Sequence, residues 1–200
     1  LLFLHRDRLG GTNANILMKA RAKLGYWPAY LRSDNANEYQ SPEFEAIVTS
    51  NLIERQWSNA YEQEQNAAVE TLVNVIGKGV RVALLQSGLP VEFWGLAALH
   101  AVNVYNVLPH ASLNFAIPYT IHTGRMPDLS WYRPFGSASV VHVGKELSEH
   151  HKAAPRGESG VYVGLGLLSG YKAWLVYSAR LHKVYATTNA TFDDTLRLFP

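Results

Sequence analysis

Asp34 and Glu70 are the two acids whose setting could do chemistry. Asp34 stands where an apolar segment, residues 27–31, gives way to the turn signal Arg32-Ser33-Asp34-Asn35. Glu70 stands in the first turn or two of a segment with helical apolar spacing, with residues 35–69 between the two acids. A carboxylate at a strand end and another on a facing helix can share a divalent cation. Mg²⁺ and Mn²⁺ take hard oxygen ligands, and two such ions about 4 Å apart activate the attacking oxygen and stabilise the leaving oxygen in phosphoryl transfer. The chain has 16 Asp and Glu residues, so an Asp and a Glu at one spacing are equally well two surface carboxylates.

Positioning these acids requires alternating strands and helices. Residues 1–4 are a short apolar run that reads as a strand, and residues 15–24 read as a helix stopped by Gly25. Residues 27–31 read as a strand, with Pro28 at its start. Ser41-Pro42-Glu43 opens a helix: a capping hydroxyl, proline at the first helical position and acids in the first turn. Residues 53–57 alternate as a strand, and the polar stretch 58–65 reads as a mobile loop. Val69, Leu72, Val73, Ile76, Val80 and Leu84 recur at three and four, predicting a helix over 66–85 that Gly77 and Gly79 weaken by about 1 kcal/mol each relative to Ala. Residues 92–107 form a second apolar helix, in which Trp94 and Tyr105 are expected to pack rather than to stack on bases. Runs at 140–143, 160–165, 171–177 and 183–187 have the texture of a small antiparallel β domain. The cluster of Pro, Gly and Asp over 127–134 divides the chain into 1–126 and 127–200.

Composition narrows the classes. The chain of 200 residues is 48% apolar and 17% charged, which is globular and argues against disorder. It has no cysteine, so disulfides, thiolate metal sites and a cysteine nucleophile are excluded. No apolar run reaches the roughly 18 residues that span a bilayer, and no membrane partner is expected. The net charge of +2 does not by itself announce a nucleic-acid binder. Residues 151–200 hold six basic and three acidic side chains, and Lys172, Arg180 and Lys183 there are the candidates for phosphate contact, against the alternative of a solvated face. The chain begins without Met and runs into charge at once, as if it started inside a domain. No G-x-G-x-x-G follows a strand, which removes a Rossmann-type nucleotide binder.

Five blocks in order carry a family resemblance. Leu31-Arg32-Ser33-Asp34-Asn35-Ala36-Asn37-Glu38-Tyr39 is similar to LRSDNGGEF, and Asn66-Ala67-Ala68-Val69-Glu70 to NGVAE, of integrases from copia-type LTR retrotransposons. Leu89-Pro90 with Phe93-Trp94, Tyr105-Asn106 and Leu108-Pro109 resembles their LP-x-x-FW to YxxNxLP block. Pro118-Tyr119, Gly124 to Pro127 and Phe135-Gly136 follow in family order, as do Gly160 to Gly164, Gly170-Tyr171 and Phe192-Asp193-Asp194. The resemblance implies an α/β fold: a ribonuclease-H-like core, incomplete because its first strands would lie upstream, followed by an SH3-like antiparallel β domain. It implies three acids holding two Mg²⁺ or Mn²⁺ ions. Asp34 is the second acid and Glu70 the third, with Asn66 and Glu38 beside them, shaping the site without ligating. The implied reaction is DNA 3′-end processing and strand transfer on retrotransposon ends and target DNA. The implied setting is a multimer inside the cell, in nucleus or cytoplasm.

The departures point to lost activity in this stretch. No residue supplies the first acid; Asp7 falls after the third strand and is not a substitute. Ala36 and Ala67 replace family glycines, and Thr71 and Asn74 stand where basic residues are usual. The expectation is an integrase fragment without activity and with little hold on metal, the alternative being a non-enzymatic remnant that binds nucleic acid or protein. His142 with His150-His151 invites a metal reading but lacks cysteine partners, and Asp193-Asp194 is expected to end a strand in solvent.

Overall fold

The structure, a computed structural model, describes residues 9–33, 39–57, 67–142 and 157–197. The expected strand at 1–4 and loop at 58–65 lie outside them. The chain divides into two compact units after Leu72.

In the first unit, α1 (Leu9–Leu24) starts earlier than helix propensity suggests, running through Gly10 and Gly11. Packing overrides propensity here, because Ala14 and Leu17, three apart, are both buried. Gly25, at φ +82°, ends the helix and donates its N–H to the Arg21 carbonyl at 2.9 Å. The strand expected at 27–31 is β1 (Tyr30–Ser33), displaced because Pro28 has no N–H to pair. Ladder bonding begins only where Glu54 N donates to Ala29 O at 2.9 Å. β1 runs parallel to β2 (Glu54–Trp57), pairing Tyr30 with Glu54 through Ser33 with Trp57. Between them α2 (Pro42–Ser50) is capped as its sequence requires: Ser41 Oγ accepts from Phe44 N at 3.3 Å. Leu17, Phe44, Val48 and Ile53 form the core, with Trp27, Leu31, Tyr39 and Ile47 around it.

The second unit contains most of α3 (Ala67–Ser87), then α4 (Trp94–Val107), α5 (Pro118–Thr123) and a five-stranded antiparallel sheet. Its strands are β3 (Ser137–His142), β4 (Gly157–Leu168), β5 (Tyr171–Ser178), β6 (Lys183–Thr187) and β7 (Ala190–Arg197), in the order β6-β5-β4-β3-β7. β6 and β7 sit on opposite edges yet are joined by only Thr188 and Asn189. Four strand spacings would put flat edges about 19 Å apart. Three residue steps reach at most about 11 Å. The sheet is therefore curled towards a barrel, as an SH3-like domain requires. Ser169 and Gly170, at φ +51° and +84°, close the β4–β5 hairpin with the left-handed pair that its twist favours.

The helices and the sheet of this unit share one core of Ala83, Leu89, Ala97, Phe135, Val161 and Val163. The division expected at 126/127 falls inside this unit. Two glycines permit the packing. Gly136, at φ +85°, lies against Ser87 at the end of α3, where a β-carbon would come within 2.8 Å of Ser87 Cα. Gly164, at φ +124° beside a register shift in β4, faces Leu96 and His100 on α4. The α/β class with a following antiparallel β domain is thus the observed class.

Asp193 and Asp194 lie within β7 rather than at its end. Between Ser137 and Ala138 the pairing jumps from Arg197 to Asp193, and Asp193 Oδ1 accepts from Thr195 N at 2.9 Å and Thr195 Oγ1 at 2.6 Å inside that irregularity. A local side-chain turn of this kind lets a strand continue past a bulge.

Candidate metal and nucleic-acid site

β1 ends at Ser33, which is buried, one residue before Asp34. Asp34, Glu38 and Asn66 lie outside the described residues, as do His150 and His151. Glu70 is exposed in the first turn of α3, where the unpaired N–H groups of a helix favour a carboxylate. Thr71 and Asn74 are exposed on the same helix. His142 is the last residue of β3. Among the described residues no group of three or more His, Cys, Asp or Glu side chains could hold a metal ion. Of the acids named as candidates for the site, Glu70 is the one that the described residues include.

The three candidate phosphate contacts have different surroundings. Lys172 on β5 is exposed, with Nζ 5.4 Å from the Trp131 ring and 5.1 Å from Tyr132. Desolvation by these rings lowers its pKa, and nearby Asp128 opposes the shift. Arg180 is bound: Nε lies 3.1 Å from both carboxylate oxygens of Glu158, and Nη2 lies 2.6 Å from Oε2. Lys183 opens the edge strand β6 with Nζ 5.3 Å from the Tyr185 ring.

No family model matches the chain. The chain is similar to the retrovirus-related Pol polyprotein from transposon TNT 1-94 of Nicotiana tabacum, with 32% identity over 145 residues, 72% of this chain and 11% of the polyprotein. It is also 31% identical over 90 residues to an uncharacterised mitochondrial protein of Arabidopsis thaliana, covering 45% of this chain and 71% of that protein. The chain is thus related, over most of its length, to part of a retrotransposon Pol polyprotein. The chain spans about a tenth of the length of the tobacco polyprotein. Many solved structures resemble it, among them two viral proteins. One is the HTLV-2 integrase catalytic core domain in complex with magnesium, in a trimeric form, with TM-score 0.44 and 22% identity over 56% of this chain and 69% of that one. The other is a simian T-cell lymphotropic virus intasome in complex with PP2A regulatory subunit B56 gamma, with TM-score 0.45 and 18% identity over 82% of this chain and 61% of that one.

Three features of the chain were not legible in its sequence. Trp94, expected to pack, is 60% exposed; its neighbour Phe93 takes the inward place, 4.7 Å from the Tyr177 ring. The short 3-10 turn at Val91–Phe93 rotates the helix start by a fraction of a turn, which apolar spacing alone does not register. Tyr105 does pack, 3.9 Å from the His110 ring. His100 is wedged between Phe135 (5.5 Å) and Tyr162 (5.8 Å), and burial pushes its pKa down to about 4. On β2, Arg55 and Trp57 face the same side of the sheet, a relation legible as i and i+2 once the strand is known.

Proposed function

We propose that this chain is a DNA-handling segment of a retrotransposon integrase, in which Asp34 and Glu70 are two of the acids that hold Mg²⁺ or Mn²⁺ at a phosphodiester. The reading rests on one observation above the others. Glu70 stands exposed in the first turn of α3, in the same unit as the strand whose last residue precedes Asp34. When bound, the divalent ions supply the charge neutralisation that transfer of a phosphodiester to a DNA 3′-hydroxyl needs. Asp34 and Glu70 offer acceptor-only oxygens for that purpose, Asn66 and Glu38 act beside them without ligating, and Lys172 and Lys183 meet phosphates electrostatically.

Residues 1–200 hold two of the three acids the resemblance assigns. We therefore propose that they bind DNA, as copies of one another assembled on it, without carrying out strand transfer themselves. A binuclear site short of one ligand loses alignment, and misplacement of that order costs transfer rates by factors of hundreds or more. Mn²⁺ titration with a labelled DNA end tests both halves. Mn²⁺ is expected to broaden amide signals near Ser33 and Glu70 in the wild-type chain and not in Glu70→Gln, with no strand-transfer product. Robust product that Asp34→Asn abolishes would overturn the inactive reading. Absence of both Mn²⁺ broadening and DNA binding would favour a remnant with no integrase chemistry.

A further inference from the structure

Arg55 lies on β2 and is the more enclosed partner of its ion pair with Glu45, only 10% exposed. Its guanidinium carbon sits 3.8 Å from the Trp57 ring centroid and 5.5 Å from that of Phe44, so the group is sandwiched between an indole and a phenyl. Phe44 is 2% exposed and Trp57 42%, so the indole is the solvent-facing layer. Nη1 pairs with Glu45 of α2. Nε and Nη2 are buried with no acceptor among the described residues. That pair is the side edge of the guanidinium, the fork whose two parallel N–H groups match two oxygens of a phosphate or carboxylate. Enclosing two charged donors without acceptors is costly, and proteins satisfy such groups almost without exception. The aromatic faces hold the fork flat and in place, which removes the ordering cost of binding.

We propose that Arg55 is an oxyanion site: its Nε–Nη2 edge takes two oxygens of a phosphate group once the Trp57 indole moves aside, while Nη1 stays on Glu45. The phosphate is free inorganic phosphate or a phosphodiester of bound DNA; the second source rests on the function proposed above, and the first does not.

The test follows the Arg55 Nε–Hε resonance of the ¹⁵N-labelled full chain, assigned by its loss in Arg55→Lys, during titration with inorganic phosphate and, separately, a short DNA duplex, with chloride as the ionic-strength control. A saturable Hε shift with phosphate and none with chloride is expected. Glu45→Gln removes the neighbouring negative charge that repels an anion and is expected to tighten phosphate binding several-fold. This variant keeps the test decisive if Arg55→Lys does not fold. An Hε signal unmoved by phosphate and by duplex, or a phosphate affinity unchanged in Glu45→Gln, overturns the site. A chain that binds duplex with equal affinity in wild type and Arg55→Lys, with no Hε shift, refutes this site and leaves the integrase reading standing. An Hε shift with phosphate in a chain that binds no duplex keeps the site and removes the integrase reading.

Discussion

Arg180, two residues past the end of β5, is locked against Glu158 of β4, both carboxylate oxygens within 3.1 Å of Arg180 nitrogens, while Ser178 Oγ donates to Glu158 Oε1 at 2.6 Å. A guanidinium held this way has its fork occupied. Arg180→Ala is therefore expected to leave the salt dependence of DNA binding nearly unchanged, whereas Lys172→Ala flattens the log–log salt slope by about one unit. Binding isotherms over a salt series distinguish the two.

The same contact gives the β domain an acid sensitivity. The Arg180 and Ser178 hydrogen bonds hold the Glu158 pKa below the ordinary carboxylate value. A depressed folded pKa contributes stability that is present above the unfolded value, about 4.3, and is lost as pH falls through the folded one. Glu158→Gln is expected to lower the melting temperature at pH 7 and to match wild type at the acid end of the series.

His100 works over a higher window. Its folded pKa of about 4 lies below the free value of 6.5 because burial against Phe135 and Tyr162 disfavours the cation. The unfolded chain takes the proton first, so the stabilisation is complete above about pH 6.5 and drains away as pH falls towards 4. At 1.36 kcal/mol for each pKa unit the loss is at most about 3 kcal/mol. Denaturant unfolding of wild type and His100→Phe between pH 7 and 4 checks it, the variant being expected to show the flatter profile.

Two glycines have opposite expected outcomes. At Gly136 a side chain meets the Ser87 backbone, with φ already at +85°, so Gly136→Ala is expected to cost about 3 kcal/mol or more. At Gly77 the nearest atom is Arg81 Nη1 at 3.9 Å, so Gly77→Ala is expected to stabilise α3 by about 0.5–1 kcal/mol. Chemical unfolding of the two variants beside wild type measures both signs.

Leu52 follows α2 at φ +54° and is 90% exposed. A branched side chain pays for the left-handed conformation and gains no burial. Leu52→Gly is expected to raise stability by about 1 kcal/mol, read as a shift in the denaturant midpoint at constant slope.

Local chemistry made much of this chain legible in one dimension. Ser41-Pro42-Glu43 sets the start of α2, Gly25 the end of α1, and the spacing from Val69 to Leu84 the helix carrying Glu70, because caps, φ preferences and apolar periodicity act within a few residues. The same locality made the ordered blocks of the family resemblance readable. What lay beyond it are relations between residues far apart in sequence. Gly136 reads as half of a motif until Ser87 is found against it. Arg180 reads as a free cation until β4 brings Glu158 beside it, and Arg55 as a strand residue until Phe44, Glu45 and Trp57 enclose it. The curl of the sheet is likewise fixed by the two-residue link between opposite edges, a constraint that exists only once strand order is known. Composition and spacing thus set which elements form. Pairing and packing, which depend on contacts of long sequence separation, decided which of the charged side chains are free to meet a ligand.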